Sequence, residues 1–182
     1  TIVFNDLDVP DRVYSSDASP QPTVRRIDIN TPSECLIPRA QSSHKGNHGH
    51  VLIIGGDHGY GGAVLLAAEA ALRSGAGLVS VLTRSVHRPA LLARRPEIMV
   101  SGTEDEHAGV DALVAKADVI VIGPGLGRNQ WSRDLLQLAL SAQVAANKPL
   151  VVDADGLNLL SERGDSGAPL RRDNWILTPH PG

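Results

Sequence analysis

The chain has 182 residues, 42% of them hydrophobic and 20% charged, with a formal net charge of −3 and a pI near 6.1. That length makes one domain with a tail and needs no disulfide or metal to hold it, while the lone Cys35 excludes an internal disulfide framework and fits a reducing, cytoplasmic setting. No apolar run reaches the ~18 residues of a membrane span, the first residues lack the basic-then-apolar order of a signal peptide, and an acidic balance with 3% aromatics argues against nucleic acid as a partner.

Residues 1–43 read differently from the rest. Pro10, Pro20, Pro22, Pro32 and Pro38 punctuate them, and proline removes a backbone donor, so this stretch is expected to be an extended linker or arm with at most a short strand over 24–29. From His50 the pattern changes. Val51-Leu52-Ile53-Ile54 predicts a buried strand that runs into Gly55-Gly56. A helix is expected over 63–74, with Gly75 as its C-cap, then a strand over 78–82, a helix over 86–95 stopped by Pro96, and a short strand over 97–101. A helix over 110–117 leads to the clearest buried strand, 118–122, which ends in Gly123-Pro124-Gly125-Leu126-Gly127. Apolar residues at i, i+3, i+4 spacing predict a helix over 131–147. Pro149 resets the chain into a strand at 150–152, a helix runs through Leu159-Leu160, and a last strand spans 174–178 before Pro179-His180-Pro181-Gly182.

Apolar strands alternating with helices predict an α/β fold, a mostly parallel sheet with helices on both faces. Ligands of such sheets bind beyond the carboxyl ends of the strands. Those ends carry Gly55-Gly56, 123–127, Asp153-Ala154-Asp155 and His180, so that edge is the candidate site. Clustered glycines let backbone N–H groups approach an anion at a helix N-terminus, or simply make tight turns. The loop after the first strand matches neither G-x-G-x-x-G nor a P-loop, and Leu82-Thr83-Arg84 lacks the acidic residue that would hold a ribose. Asp153 and Asp155 either cap the next helix or orient a ligand, and Asn158 is a surface or a site residue. His180, stiffened between two prolines, can donate or accept a hydrogen bond. Lys45 stands in a solvated turn or serves a phosphate-rich ligand. His44, His48, His50 and His58 match no zinc spacing, and no metal site is expected.

Six segments together resemble one family. They are Lys45-Gly46-Asn47-His48-Gly49, Gly61-Gly62-Ala63, Ser74-Gly75-Ala76-Gly77-Leu78-Val79, the glycine loop 123–127, Val152-Asp153-Ala154-Asp155-Gly156-Leu157-Asn158, and the 177–182 stretch. Their order is similar to that of the ADP-dependent NAD(P)H-hydrate dehydratases, whose fold is ribokinase-like. Gly156 stands where the family usually has alanine. Phe4-Asn5-Asp6-Leu7-Asp8-Val9-Pro10 resembles the junction after the epimerase domain of bifunctional members. The resemblance therefore implies a linker over 1–43 and the N-terminal portion of a dehydratase domain over 44–182.

The resemblance also implies an activity: ADP-dependent dehydration, with Mg2+, of the S epimer of hydrated NADH or NADPH. It implies that Ala63, Gly125, Gly127 and His180 contact the dinucleotide, with Lys45, Asp153, Asp155 and Asn158 as further candidates. It implies a homo-oligomer for the complete enzyme. The family's later glycine-rich nucleotide loop and its aspartate base have no counterpart before Gly182, so no catalytic base is assigned, and the 182-residue chain alone is expected to turn over at background. A ribokinase-like kinase of a small alcohol and a non-catalytic dinucleotide-binding module are the alternatives.

Overall fold

Strands that are apolar at every position need cover on both sides, and helical crossovers supply it. In the computed structural model, which describes residues 38–105, 109–162 and 172–180, this produces a regular alternation. β1 (His50–Ile54) leads to α1 (Gly61–Arg73), β2 (Leu78–Thr83) to α2 (Arg88–Arg94), and β3 (Met99–Gly102) to α3 (Val110–Lys116). β4 (Val119–Ile122) then leads to α4 (Gln130–Ala146), β5 (Leu150–Asp153) to α5 (Ala154–Glu162), and β6 (Trp175–Thr178) follows. Two 3-10 turns, Lys45–His48 and Ser85–His87, precede β1 and α2. The chain divides into the units Thr1–Gln41 and Ser42–Gly182. The strand expected over 24–29, Cys35, Pro181 and Gly182 lie outside the described residues.

All five strand pairings are parallel, in the order β3-β2-β1-β4-β5-β6. Alternate residues sort to opposite faces. Ile53, Val79 and Val81 pack with Val64 and Ala68 of α1 and Leu91 of α2. On the other face Leu52, Ile54, Leu82, Ile120, Ile122, Leu150 and Val152 lie with Val114 of α3, Leu135, Leu136, Ala139 and Leu140 of α4, and Leu159 of α5. Among the described residues no helix is long and apolar enough to cross a membrane.

The starting edge of the sheet is closed by polar packing. His50 is buried, its Nε2 sharing a hydrogen bond with Ser80 Oγ at 2.8 Å, and its backbone N–H donates to Asp118 Oδ2 at 2.8 Å. Burial holds its imidazole below the usual histidine range, although Asp118 pulls the other way. The Lys45–His48 turn packs here too, since a Cβ on Gly77 would come within 1.7 Å of the Lys45 carbonyl oxygen.

Two elements depart from expectation. The helix expected over 86–95 is a 3-10 turn followed by α2, because Pro89 suits the first turn of a helix and no deeper position. The strand expected over 97–101 is β3, two residues later, because the Ile98 N–H is still spent on the Arg95 carbonyl in the turn that follows α2. What positions the site is the strand order. β1 feeds β2 on one side and has β4 on the other, so the chain reverses its direction of travel between β1 and β4. The carboxyl ends of β1 and β4 therefore form the topological switch point, the crevice where open α/β sheets hold their ligands.

Candidate functional site

The two loops at this crevice are the two glycine clusters, and they hold each other. The N–H of Gly56 donates to the Pro124 carbonyl at 3.0 Å and that of Asp57 to the Gly125 carbonyl at 2.7 Å. Gly125 has φ +58, and a Cβ there would stand 2.8 Å from Tyr60 Cβ and 3.0 Å from Ala63 Cβ. A left-handed backbone pressed against two neighbours requires glycine. The same contact requires a small residue at 63, so Ala63 and Gly125 set one another's size.

Charge frames the crevice. Asp57 is buried behind the glycines. Its Oδ1 accepts from Arg84 Nε at 2.8 Å and its Oδ2 from Asn129 Nδ2 at 2.6 Å. Asn129 in turn caps α4 by accepting from the Ser132 N–H at 3.1 Å. The Arg84 guanidinium lies 4.0 Å from the Trp131 ring centroid, a cation–π contact, and also donates to Glu104 Oε1 at 2.8 Å. Trp131 Nε1 donates to Thr103 Oγ1 at 2.9 Å. The segments that follow β1, β2, β3 and β4 are thus tied into one network. On the opposite flank, Asp155 Oδ2 accepts the Gly127 N–H at 2.9 Å, and Asn158 Nδ2 donates to Asp155 Oδ1 at 3.3 Å.

Burial raises the cost of charge on Asp57, but hydrogen bonds from Arg84, the His58 backbone and Asn129 outweigh it and hold the carboxyl below its ordinary range. Glu104 follows the same logic. Partial burial opposes its charge, yet Arg84 and the backbone N–H and hydroxyl of Ser85 lower it to about 2. A carboxyl depressed in the folded state stabilises the fold above its unfolded pKa, near 4.5, and loses that contribution as pH falls toward about 2. Glu104→Gln is therefore expected to flatten the fall of melting temperature between about pH 5 and pH 2. Parallel wild-type and variant curves across that range would contradict the assignment.

The structure brings Ala63, Gly125 and Gly127 together, with Asp155 and Asn158 joined to them through the Gly127 N–H. Asp155 lies in the first turn of α5 and reaches across to the β4 loop; α5 itself begins at Ala154. Asp153 accepts from the Thr178 hydroxyl at 2.6 Å and ties the end of β5 to β6. His180 is exposed just past β6, on the same edge but two strands from β4, roughly 10 Å across the sheet. Lys45 is exposed in the turn before β1, at the opposite edge, and is not brought to the glycine loops. Sequence reasoning missed Asp57, Arg84, Asn129, Trp131 and Tyr60. The available signal was positional, because Asp57, Arg84 and Asn129 are polar residues one to seven positions past the ends of three apolar strands.

A family profile described as NAD(P)H-hydrate dehydratase matches residues 51–182, which include both glycine loops and His180. The chain belongs to the NAD(P)H-hydrate dehydratase family. It is 50% identical over 151 residues to the bifunctional NAD(P)H-hydrate repair enzyme of Coxiella burnetii, covering 81% of this chain and 28% of that protein. A ribokinase-like superfamily protein from Enterococcus faecalis superposes with a TM-score of 0.71 at 36% identity, over 79% of this chain and 49% of the other. The ADP/ATP-dependent NAD(P)H-hydrate dehydratase of Bacillus subtilis, co-crystallised with ATP and Mg2+, gives a TM-score of 0.62 at 29% identity, over 84% of this chain and 51% of that one. The dehydratase fold seen here is ribokinase-like, and the chain spans about half the length of the solved relatives and under a third of the bifunctional one.

Proposed function

We propose that the chain provides the dinucleotide side of an ADP-dependent NAD(P)H-hydrate dehydratase, which returns the S epimer of hydrated NADH or NADPH to the reduced cofactor. The observation that carries this reading is the meeting of Ala63 with the Gly125–Gly127 loop at the β1/β4 crevice, directly in front of α1. The first turn of α1 has no side-chain cap and no acidic residue, and with the Ala63 N–H bonded to the Tyr60 carbonyl it is the Gly61 and Gly62 N–H groups that suit a pyrophosphate. The small residues leave backbone exposed to such a ligand, and the Asp57 and Asp155 contacts hold both loops still, which is how positioning lowers a barrier. His180, on the same edge, is the proposed further contact.

In the proposed reaction the ring hydroxyl attacks the β-phosphorus of ADP and loses its proton, and the bond from that phosphorus to AMP breaks, leaving the ring phosphorylated. The C–O bond then breaks with phosphate as leaving group, pushed by the ring nitrogen, and loss of a neighbouring ring proton restores the double bond. Among the described residues no three His, Cys, Asp or Glu side chains converge to hold a metal, and Asp57, Glu104 and Asp155 are committed to hydrogen bonds. No Mg2+ step is therefore assigned to them; the ion that accompanies a nucleotide is commonly carried by its phosphates. Self-association of the whole enzyme belongs to the same proposal and is read by light scattering.

The test is to incubate purified hydrates with ADP and the full-length protein and follow the absorbance of the reduced nicotinamide. Recovery that needs ADP is the expected result. A phosphorylated product that accumulates would replace the dehydratase by a kinase, and dinucleotide binding without turnover under any nucleotide would leave a binding module.

A further inference from the structure

We infer that Tyr60 is the platform on which a planar ring of the dinucleotide stacks. The inference rests on the function proposed above and adds to that crevice a residue that selects for flat, aromatic ligand groups.

Three aromatic residues fall among the described ones. Trp131 lies beneath the Arg84 guanidinium and Trp175 packs against the core, whereas Tyr60 is 61% exposed. Its hydroxyl has no hydrogen-bond partner among the described residues. An aromatic side chain gains strongly from being covered, and nothing described in this fold covers Tyr60.

The residue's root, by contrast, is tightly held. The Tyr60 N–H donates to the Asp57 carbonyl at 2.8 Å, and its own carbonyl accepts the Ala63 N–H at 3.1 Å. The Asp57 carbonyl is also hydrogen-bonded to His87 Nε2 at 3.0 Å. The Asp57 N–H is fixed to Gly125 and the Asp57 carboxylate to Arg84 and Asn129. Tyr60 Cβ rests against the Gly125 backbone. A surface tyrosine on a slack loop would need no explanation. This one is anchored on a braced turn, at the residue preceding α1, beside the loop that faces the proposed pyrophosphate position. In a dinucleotide each ring lies one ribose away from the pyrophosphate, so a ligand seated on the α1 N-terminus brings a ring to this residue. Stacking of bases on aromatic side chains is tolerant of ring identity, because every base offers a π-face. Tyr60 would therefore strengthen binding of NADH and NADPH alike.

The experiment titrates the full-length wild-type protein and its Tyr60→Phe, Tyr60→Leu and Tyr60→Ala variants with NADH, AMP and reduced nicotinamide mononucleotide, with melting temperatures recorded in parallel. Tyr60→Phe is expected to bind NADH within about threefold of wild type. Tyr60→Ala and Tyr60→Leu are expected to weaken it by about tenfold or more, with melting temperatures close to wild type because the side chain is exposed. Loss shared with AMP identifies adenine as the stacked ring, and loss shared with the mononucleotide identifies the nicotinamide. Wild-type affinity in Tyr60→Leu would overturn stacking while leaving the proposed function intact. A wild-type protein that binds no dinucleotide would overturn both.

Discussion

Gly123→Ala is expected to lower stability by about 3 kcal/mol or more. Gly123 ends β4 with φ +123, a backbone region that L side chains rarely adopt, and an added Cβ would lie 1.8 Å from the Asp153 carbonyl oxygen and 3.0 Å from the Gly156 nitrogen. Both obstacles are backbone, one ending β5 and the other inside α5, so no side chain can swing aside to make room. The Gly123 N–H also donates to the Ile54 carbonyl at 3.2 Å, which ties the same residue to β1. Relieving the clash means moving β4 against β5 at the mouth of the crevice. For a chain of this size a melting temperature lower by roughly 6–12 °C is expected. A shift of a degree or less in thermal unfolding would show that the strand ends relax freely.

Asp57→Ala is expected to cost about 2–4 kcal/mol and to weaken the dinucleotide binding proposed above. The truncation strips Arg84 Nε and Asn129 Nδ2 of their acceptor in a setting where the Asp57 and Arg84 side chains are only 12% and 15% exposed. Arg84 keeps Glu104, which limits the loss below that of an orphaned buried charge. Asp57→Asn preserves shape and one acceptor, so a smaller loss is expected. Because Asn129 answers the same carboxylate, Asp57→Ala and Asn129→Ala together should cost less than the two singly. Denaturant unfolding of the four proteins reads this coupling, and strict additivity would remove Asn129 from the network.

The alternation of elements was legible because the strands are short apolar blocks closed by glycine or proline. The 118–122 run and the loop after it could hardly be anything else, and Gly75 ends α1 where a left-handed residue is wanted, with φ +105. The pairing of β1 with β4 was not legible, because periodicity says which face of a strand is buried and nothing about its neighbour. The charged frame was hidden for the same reason. Asp57 meets Arg84 across 27 residues and Asn129 across 72, and only the strand order brings them together. For Asp155 the sequence left a cap and a ligand role open. The structure shows a third use, an acceptor for the Gly127 N–H that braces the neighbouring loop. The 123–127 loop stood out by its glycines at a strand end and Ala63 by family resemblance, and the structure supplies the steric reason why Ala63 and Gly125 must be small.

Hydrogen exchange of the full-length protein with and without NADH tests the location of the site most directly. Slower exchange is predicted for backbone amides in 55–63 and 125–129, with no change at 45–50, 74–77 or 118, at the other edge of the sheet. Protection at that other edge, around His48, His50 and Asp118, with none in the two glycine loops, would contradict the account.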